Sequence, residues 1–172
     1  MRSSHLVLVG AAILFAGAAF ASAGTSAAVT TVSGRGISVC LPSRWTGVIY
    51  QRVGGLPILH AANFRLPPVD GDDGANRAVR RMRPSDVLIV MVEYPKATVH
   101  FPRRGLPLSL RGSDFGTPAE GMPLSRAFAR IRFTTPKRAF DVWIEFGRAH
   151  ASSAAIRAVD RVLATLRIAA RR

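Results

Sequence analysis

The stretch RAFARIRF at positions 126–133, the connection TTPK at 134–137 and the stretch RAFDVWIEF at 138–146 decide the fold. Each arm alternates apolar and polar side chains, the two-residue period of a strand with one face buried. A four-residue loop, Thr134 to Lys137, closed by Phe133 opposite Arg138, sorts the two arms cleanly. It sets Ile131 opposite Phe140, Ala129 opposite Val142 and Ala127 opposite Ile144 on one apolar face. The other face then pairs Arg130 with Asp141, Phe128 with Trp143 and Arg126 with Glu145. Opposite charges and aromatic pairs across strands contribute about 0.2–1 kcal/mol each. A slip of one residue would lose these pairs and mix the faces. The stretch is therefore expected to be an antiparallel hairpin.

Working outward, Ile37, Val39 and Leu41 alternate with Ser38 and Cys40, predicting a second half-buried strand that stops at Pro42. Gly47 to Val53 reads as another strand. Ile58, His60, Ala62, Phe64 and Leu66 form one row of the next, ended by Pro67-Pro68. The unbroken apolar run Val87 to Val92 suits a strand covered on both faces. Two segments have helical spacing instead. Ala75, Ala78, Val79 and Met82 recur at i, i+3, i+4 and i+7, after Asp72 and Asp73 and before Pro84. Ile156, Val159, Leu163 and Leu166 make the stripe of a C-terminal helix capped by Ser152 or Ser153. Pro95 to Ser125 holds five prolines and four glycines and reads as a long loop, strand-like only at Thr98 to Phe101. Strands and helices do not alternate regularly, so the expected class is α+β: an antiparallel sheet with a short helix and a C-terminal helix packed on it.

Leu, Ile, Val and Phe supply 48 of the 172 residues, enough for a core and too many for a disordered chain. Arg2, the apolar run Leu6 to Phe20 and the A-x-A pattern Ala21-Ser22-Ala23 have the layout of a secretory signal peptide over residues 1–23. The run is short for a membrane span, which needs about 20 apolar residues. Residues 24–34 are small and polar and are expected to be a flexible leader, with a single domain over 35–172. No transmembrane helix is expected after signal cleavage. The setting would then be extracytoplasmic, secreted or in the cell envelope.

The pattern Ile37-Ser38-Val39-Cys40-Leu41-Pro42-Ser43-Arg44-Trp45, a strand followed by Leu-Pro-x-x-Trp, resembles the opening of small exported bacterial proteins. The final strand pair followed by a closing helix, Ile156 to Ile168, is similar to their ending. Together these resemble the PsbP-like α/β sandwich and uncharacterised secreted proteins of that kind. The resemblance implies a sheet with helices packed on it, brings no catalytic residues, and favours binding or assembly over catalysis.

The chemistry carried by motifs is sparse. There is no H-E-x-x-H, G-x-S-x-G or P-loop, and no cofactor motif. His60, His100 and His150 lack metal-ligand spacing. Asp70-Gly71-Asp72-Asp73-Gly74 fails as an EF-hand because positions 5, 6 and 12 are Gly74, Ala75 and Arg81. Cys40 is the lone thiol, so it forms no intramolecular disulfide; a small residue packed under a helix is the expected role, with pairing to another chain as the alternative.

Charge is the remaining signal. The formal net charge is +14, and arginine outnumbers lysine 22 to 2. Arg77, Arg80 and Arg81 should face outward from the short helix, with Arg83 near them, and Arg103, Arg104 and Arg111 cluster in the long loop. Arg77, Arg80, Arg81, Arg103 and Arg104 are the candidate anion-binding residues. The expected partner is an anionic envelope polymer, a lipid surface or an envelope protein, and export argues against nucleic acid. The expected function is an exported, non-enzymatic binding or assembly protein. The alternative is a secreted hydrolase with a site beneath the 95–125 loop built around His100 and Asp114.

Overall fold

In a computed structural model, residues 28–68, 76–118 and 123–170 are described. The expected signal peptide and the Asp70–Gly74 cluster lie outside them. The elements in chain order are β1 (Val29–Gly34), β2 (Ile37–Pro42), β3 (Thr46–Gln51), β4 (Pro57–Ala62), α1 (Asn76–Arg81), β5 (Val87–Tyr94), β6 (Phe115–Gly116), β7 (Phe128–Thr134), β8 (Ala139–Phe146), α2 (Ser153–Ala164) and β9 (Arg167–Ile168). The class is α+β, as expected, but the strands form two antiparallel sheets. One has six strands in the order β3-β4-β5-β8-β7-β6, and the other has three, β1-β2-β9.

The six-stranded sheet is the centre of the molecule. One face buries Leu59, Ile89, Met91, Ile131, Val142 and Ile144 against β2 (Ile37, Val39, Leu41) and α2 (Val159, Val162, Leu163). The opposite face carries Ile58, Ala62, Leu88, Val90 and Val92 under α1, which contributes Ala78 and Val79, with Met82 just beyond its end. This double cover explains why β4 and nearly all of β5 are buried on both sides. The cover by α1 stops short of β7, which leaves the outer face of that strand open to the long loop.

β4 ends at Ala62, short of the expected Leu66, and four further expectations change. Residues 29–34 are not a flexible leader but β1, paired along its length with β2. Arg35 and Gly36, with φ of 53° and 73°, make the two-residue turn that joins them, the left-handed turn whose twist matches paired strands. The helix at the C-terminus ends at Ala164, not Ile168. The Thr165 hydroxyl bonds Val162 O at 2.8 Å and receives Cys40 N at 2.9 Å, releasing Arg167–Ile168 to pair with β2. Thr98 to Phe101 is no strand; Lys96–Thr98 is a 3-10 turn closed by Thr98 N onto Pro95 O at 2.9 Å.

The fourth is the register of the central hairpin. Phe133 lies opposite Phe140, Ile131 opposite Val142 and Arg130 opposite Trp143, a shift of two residues from the expected pairing. The faces survive because the shift is even. The turn chemistry sets it: Pro136, with its fixed φ, takes the first central position of the turn, and Thr135 and Arg138 flank it. Thr135 N donates to Arg138 O at 2.8 Å, and Arg138 N donates to Thr135 Oγ1 at 3.1 Å. Phe128 therefore stands opposite Glu145 rather than Trp143, and Arg126 is not opposite Glu145.

Candidate anion-binding cleft

Period-two alternation sends Phe128, Arg130, Arg132 and Thr134 to the outer face of β7. Opposite them on β8, Asp141 is fully buried at the base of the row. Arg130 and Arg132 both reach it. Arg130 Nε donates to Asp141 Oδ1 at 2.8 Å and its Nη2 donates to Oδ2, while Arg132 Nε stands 3.5 Å from Oδ2. The hydrogen bonds that Arg130 donates to Asp141 raise its pKa above the ordinary value against the opposing effect of burial. The expected Arg130–Asp141 neighbours are thus in contact, across the diagonal rather than directly opposite. Each guanidinium also covers a ring: Arg130 Cζ is 5.8 Å from the Trp143 ring centre and Arg132 Cζ is 5.6 Å from that of Phe101.

The long loop closes the other wall. Pro102 O accepts from Thr134 N at 2.9 Å, and Arg103 makes a parallel bridge with Thr134, so the loop is fastened to the end of β7. Arg104 then braces the loop from inside. Its Nη1 donates to Asp114 Oδ1 at 2.9 Å, and its Nη2 donates to Asp114 Oδ2 at 3.2 Å and to Ser109 O. Asp114 Oδ2 also accepts Arg111 N at 2.7 Å. The result is a cleft of about 520 Å³ whose lining includes Arg103, Arg104, Arg111, Arg130 and Arg132, with Phe115 and Phe128 beside them. Among the described residues, five guanidinium groups face two carboxylates, Asp114 in the lining and Asp141 beneath it. The surplus positive charge in a partly desolvated hollow favours anions. Arginine suits this task because its planar fork matches carboxylate, sulfate and phosphate oxygens two at a time.

The structure divides the expected residues. Arg103 and Arg104 share the cleft, although Arg104 is committed to Asp114 and acts chiefly as a brace. Arg77, Arg80 and Arg81 are exposed on α1, as expected, but do not line the cleft. His100 is exposed and lies outside the lining, whereas Asp114 lines it with both oxygens engaged. Cys40 is half-buried, its Sγ 3.7 Å from Thr31 Oγ1. His60 is buried in β4, its Nε2 3.3 Å from the Tyr50 hydroxyl. Among the described residues no three His, Cys, Asp or Glu side chains gather to hold a metal, and no helix is long and apolar enough to cross a membrane.

Arg130 and Arg132 join the site from the strand, outside the arginine clusters that stand out in the sequence. The signal was present: two arginines, two residues apart on the polar face of a strand, must point the same way. No family model, curated protein or solved structure matches the chain.

Proposed function

We propose that this chain is a non-enzymatic binding protein that captures anionic groups in the arginine cleft along β7. The observation that carries the reading is the convergence of Arg103 and Arg111 from the loop with Arg130 and Arg132 from the strand on one hollow. The secretory layout read from residues 1–23 supports an encounter outside the cytoplasm, where an anionic envelope polymer would be the partner of matching chemistry. Arg104 and Asp114 serve the site by holding the loop in shape, and Asp141 serves it by aiming two guanidinium groups into the cleft.

The test sets the cleft against the basic face of α1. Tripolyphosphate binding is measured for the chain itself, for the triple variant Arg103→Gln, Arg111→Gln, Arg132→Gln, and for Arg77→Gln, Arg80→Gln, Arg81→Gln. The cleft variant should lose about tenfold or more in affinity, and the α1 variant should change little. Affinity should fall as salt rises, since the screening length shrinks from about 10 Å at 0.1 M to about 3 Å at 1 M. Loss confined to the α1 variant would move the site to that helix.

A further inference from the structure

We infer that the ligand is a flexible linear polyanion laid lengthwise along β7, spanning two adjoining clefts, rather than an isolated anion. The inference rests on the anion-binding reading above and adds the shape of the ligand. A second hollow of about 530 Å³ lies next to the first, and Arg103 and Arg104 line both. Its other walls include Lys96, Thr134, Thr135 and Pro136. The first cleft thus takes Phe128, Arg130 and Arg132 from β7, and the second takes the end of the strand and its turn. Successive outward residues of a strand are about 7 Å apart, so the row from Phe128 to Thr134 runs for about 20 Å.

Cations recur along that length. Arg130 and Arg132 stand on the strand, Arg103 stands at the junction beside the bracing Arg104, and Lys96 stands at the far end, its Nζ donating to Pro136 O at 2.5 Å. A single phosphate or carboxylate can occupy only one part of this track. A chain bearing an anion on every repeat can satisfy several positions at once, each added contact being effectively intramolecular. The cations line two hollows between the loop and the strand, a shape that suits a thread better than the plane of a bilayer.

The experiment compares tripolyphosphate with long-chain polyphosphate, expressed per phosphate, at fixed salt. Long-chain polyphosphate should bind at least tenfold more tightly. Lys96→Gln should weaken long-chain binding several-fold and leave tripolyphosphate binding unchanged, while Arg111→Gln weakens both. Lys137→Gln is the control, because Lys137 is exposed on the same turn but lines neither hollow. Equal effects of Lys96→Gln and Lys137→Gln, or equal affinity per phosphate for the two probes, would overturn the two-cleft track while leaving the anion site standing. Preferential binding to phosphatidylglycerol vesicles over the polymer at equal charge would overturn the linear ligand in favour of a membrane surface. Failure of the unaltered chain to bind either polyphosphate would instead remove the anion-binding reading itself.

Discussion

Two glutamates are buried on the six-stranded sheet, one on each face, and they are treated oppositely. Glu93, on β5, meets Arg138 from the central turn, and both side chains are almost wholly enclosed. Arg138 Nε donates to Glu93 Oε1 at 3.1 Å and Nη2 to Oε2 at 2.6 Å. The remaining donors reach Gly36 O at 2.9 Å, Ala169 O at 3.2 Å and Arg35 O at 3.1 Å. One guanidinium therefore ties the large sheet to the β1–β2 turn and to the segment after β9. Glu145, on β8, is as deeply buried, yet among the described residues neither of its carboxyl oxygens has a hydrogen-bond partner. Its neighbour Arg126 spends its fork on the end of α1, donating to Val79 O at 2.7 Å and Met82 O at 3.4 Å. Burial pushes the Glu145 carboxyl up to about 7, and the charge of Arg126 only partly opposes this. The same residue type in the same sheet is thus a fastening where a guanidinium satisfies it and a source of instability where one does not.

The largest expected effect comes from breaking the satisfied pair. Arg138→Ala leaves the Glu93 carboxylate buried without its guanidinium and should cost about 3–5 kcal/mol in chemical denaturation. The double variant Arg138→Met, Glu93→Leu should recover most of that loss, because two apolar groups of similar volume need no compensation. No recovery would mean that the carbonyls of Arg35, Gly36 and Ala169 matter more than the ion pair.

The second effect has the opposite sign. An acid whose pKa is raised by folding holds its proton in the folded state when the unfolded state has lost it. Stability therefore falls as pH rises from about 4.5, the ordinary value, to about 7, and levels off above that. Glu145→Gln should remove this slope and gain on the order of 2 kcal/mol at pH 8. Denaturant midpoints measured at pH 5 and pH 8 check it, and an unchanged slope would show that Glu145 is not the titrating group.

The smallest effect probes the link between Glu145 and α1. Arg126→Met removes two hydrogen bonds to the carbonyls of Val79 and Met82 and should cost about 1–2 kcal/mol. It also removes the charge that favours the ionised carboxyl, so the pH at which stability levels off should move upward. Parallel stability profiles for Arg126→Met and the unaltered chain would show that Arg126 serves the helix alone.

Much of this was legible in the chain, and the gaps have physical causes. The alternation in 126–146 identifies the hairpin and its faces, because parity depends only on the strand period. It does not choose between registers two residues apart, which share the same faces; Thr135 and Pro136 make that choice through the turn. The anion site was half legible. Arg103 and Arg104 stand out as a cluster, but their meeting with Arg130 and Arg132 depends on a loop fastened through Pro102 O and Thr134 N. Residues 29–34 look like a linker by composition and become a strand because a left-handed turn at Arg35-Gly36 folds them onto β2.

The sequence by itself determined the α+β class, the buried identity of Val87 to Val92 and the capped C-terminal helix. It also determined the outward arginines of α1 and the polar face of β7. All of these follow from periodicities and caps that span a few residues. Only the tertiary structure decided that two sheets exist rather than one, that Arg138 satisfies Glu93 while Glu145 has no hydrogen-bond partner among the described residues, and that loop and strand arginines line one cleft. Those outcomes rest on contacts between residues tens of positions apart, and a local pattern cannot say which buried charge a distant guanidinium will reach.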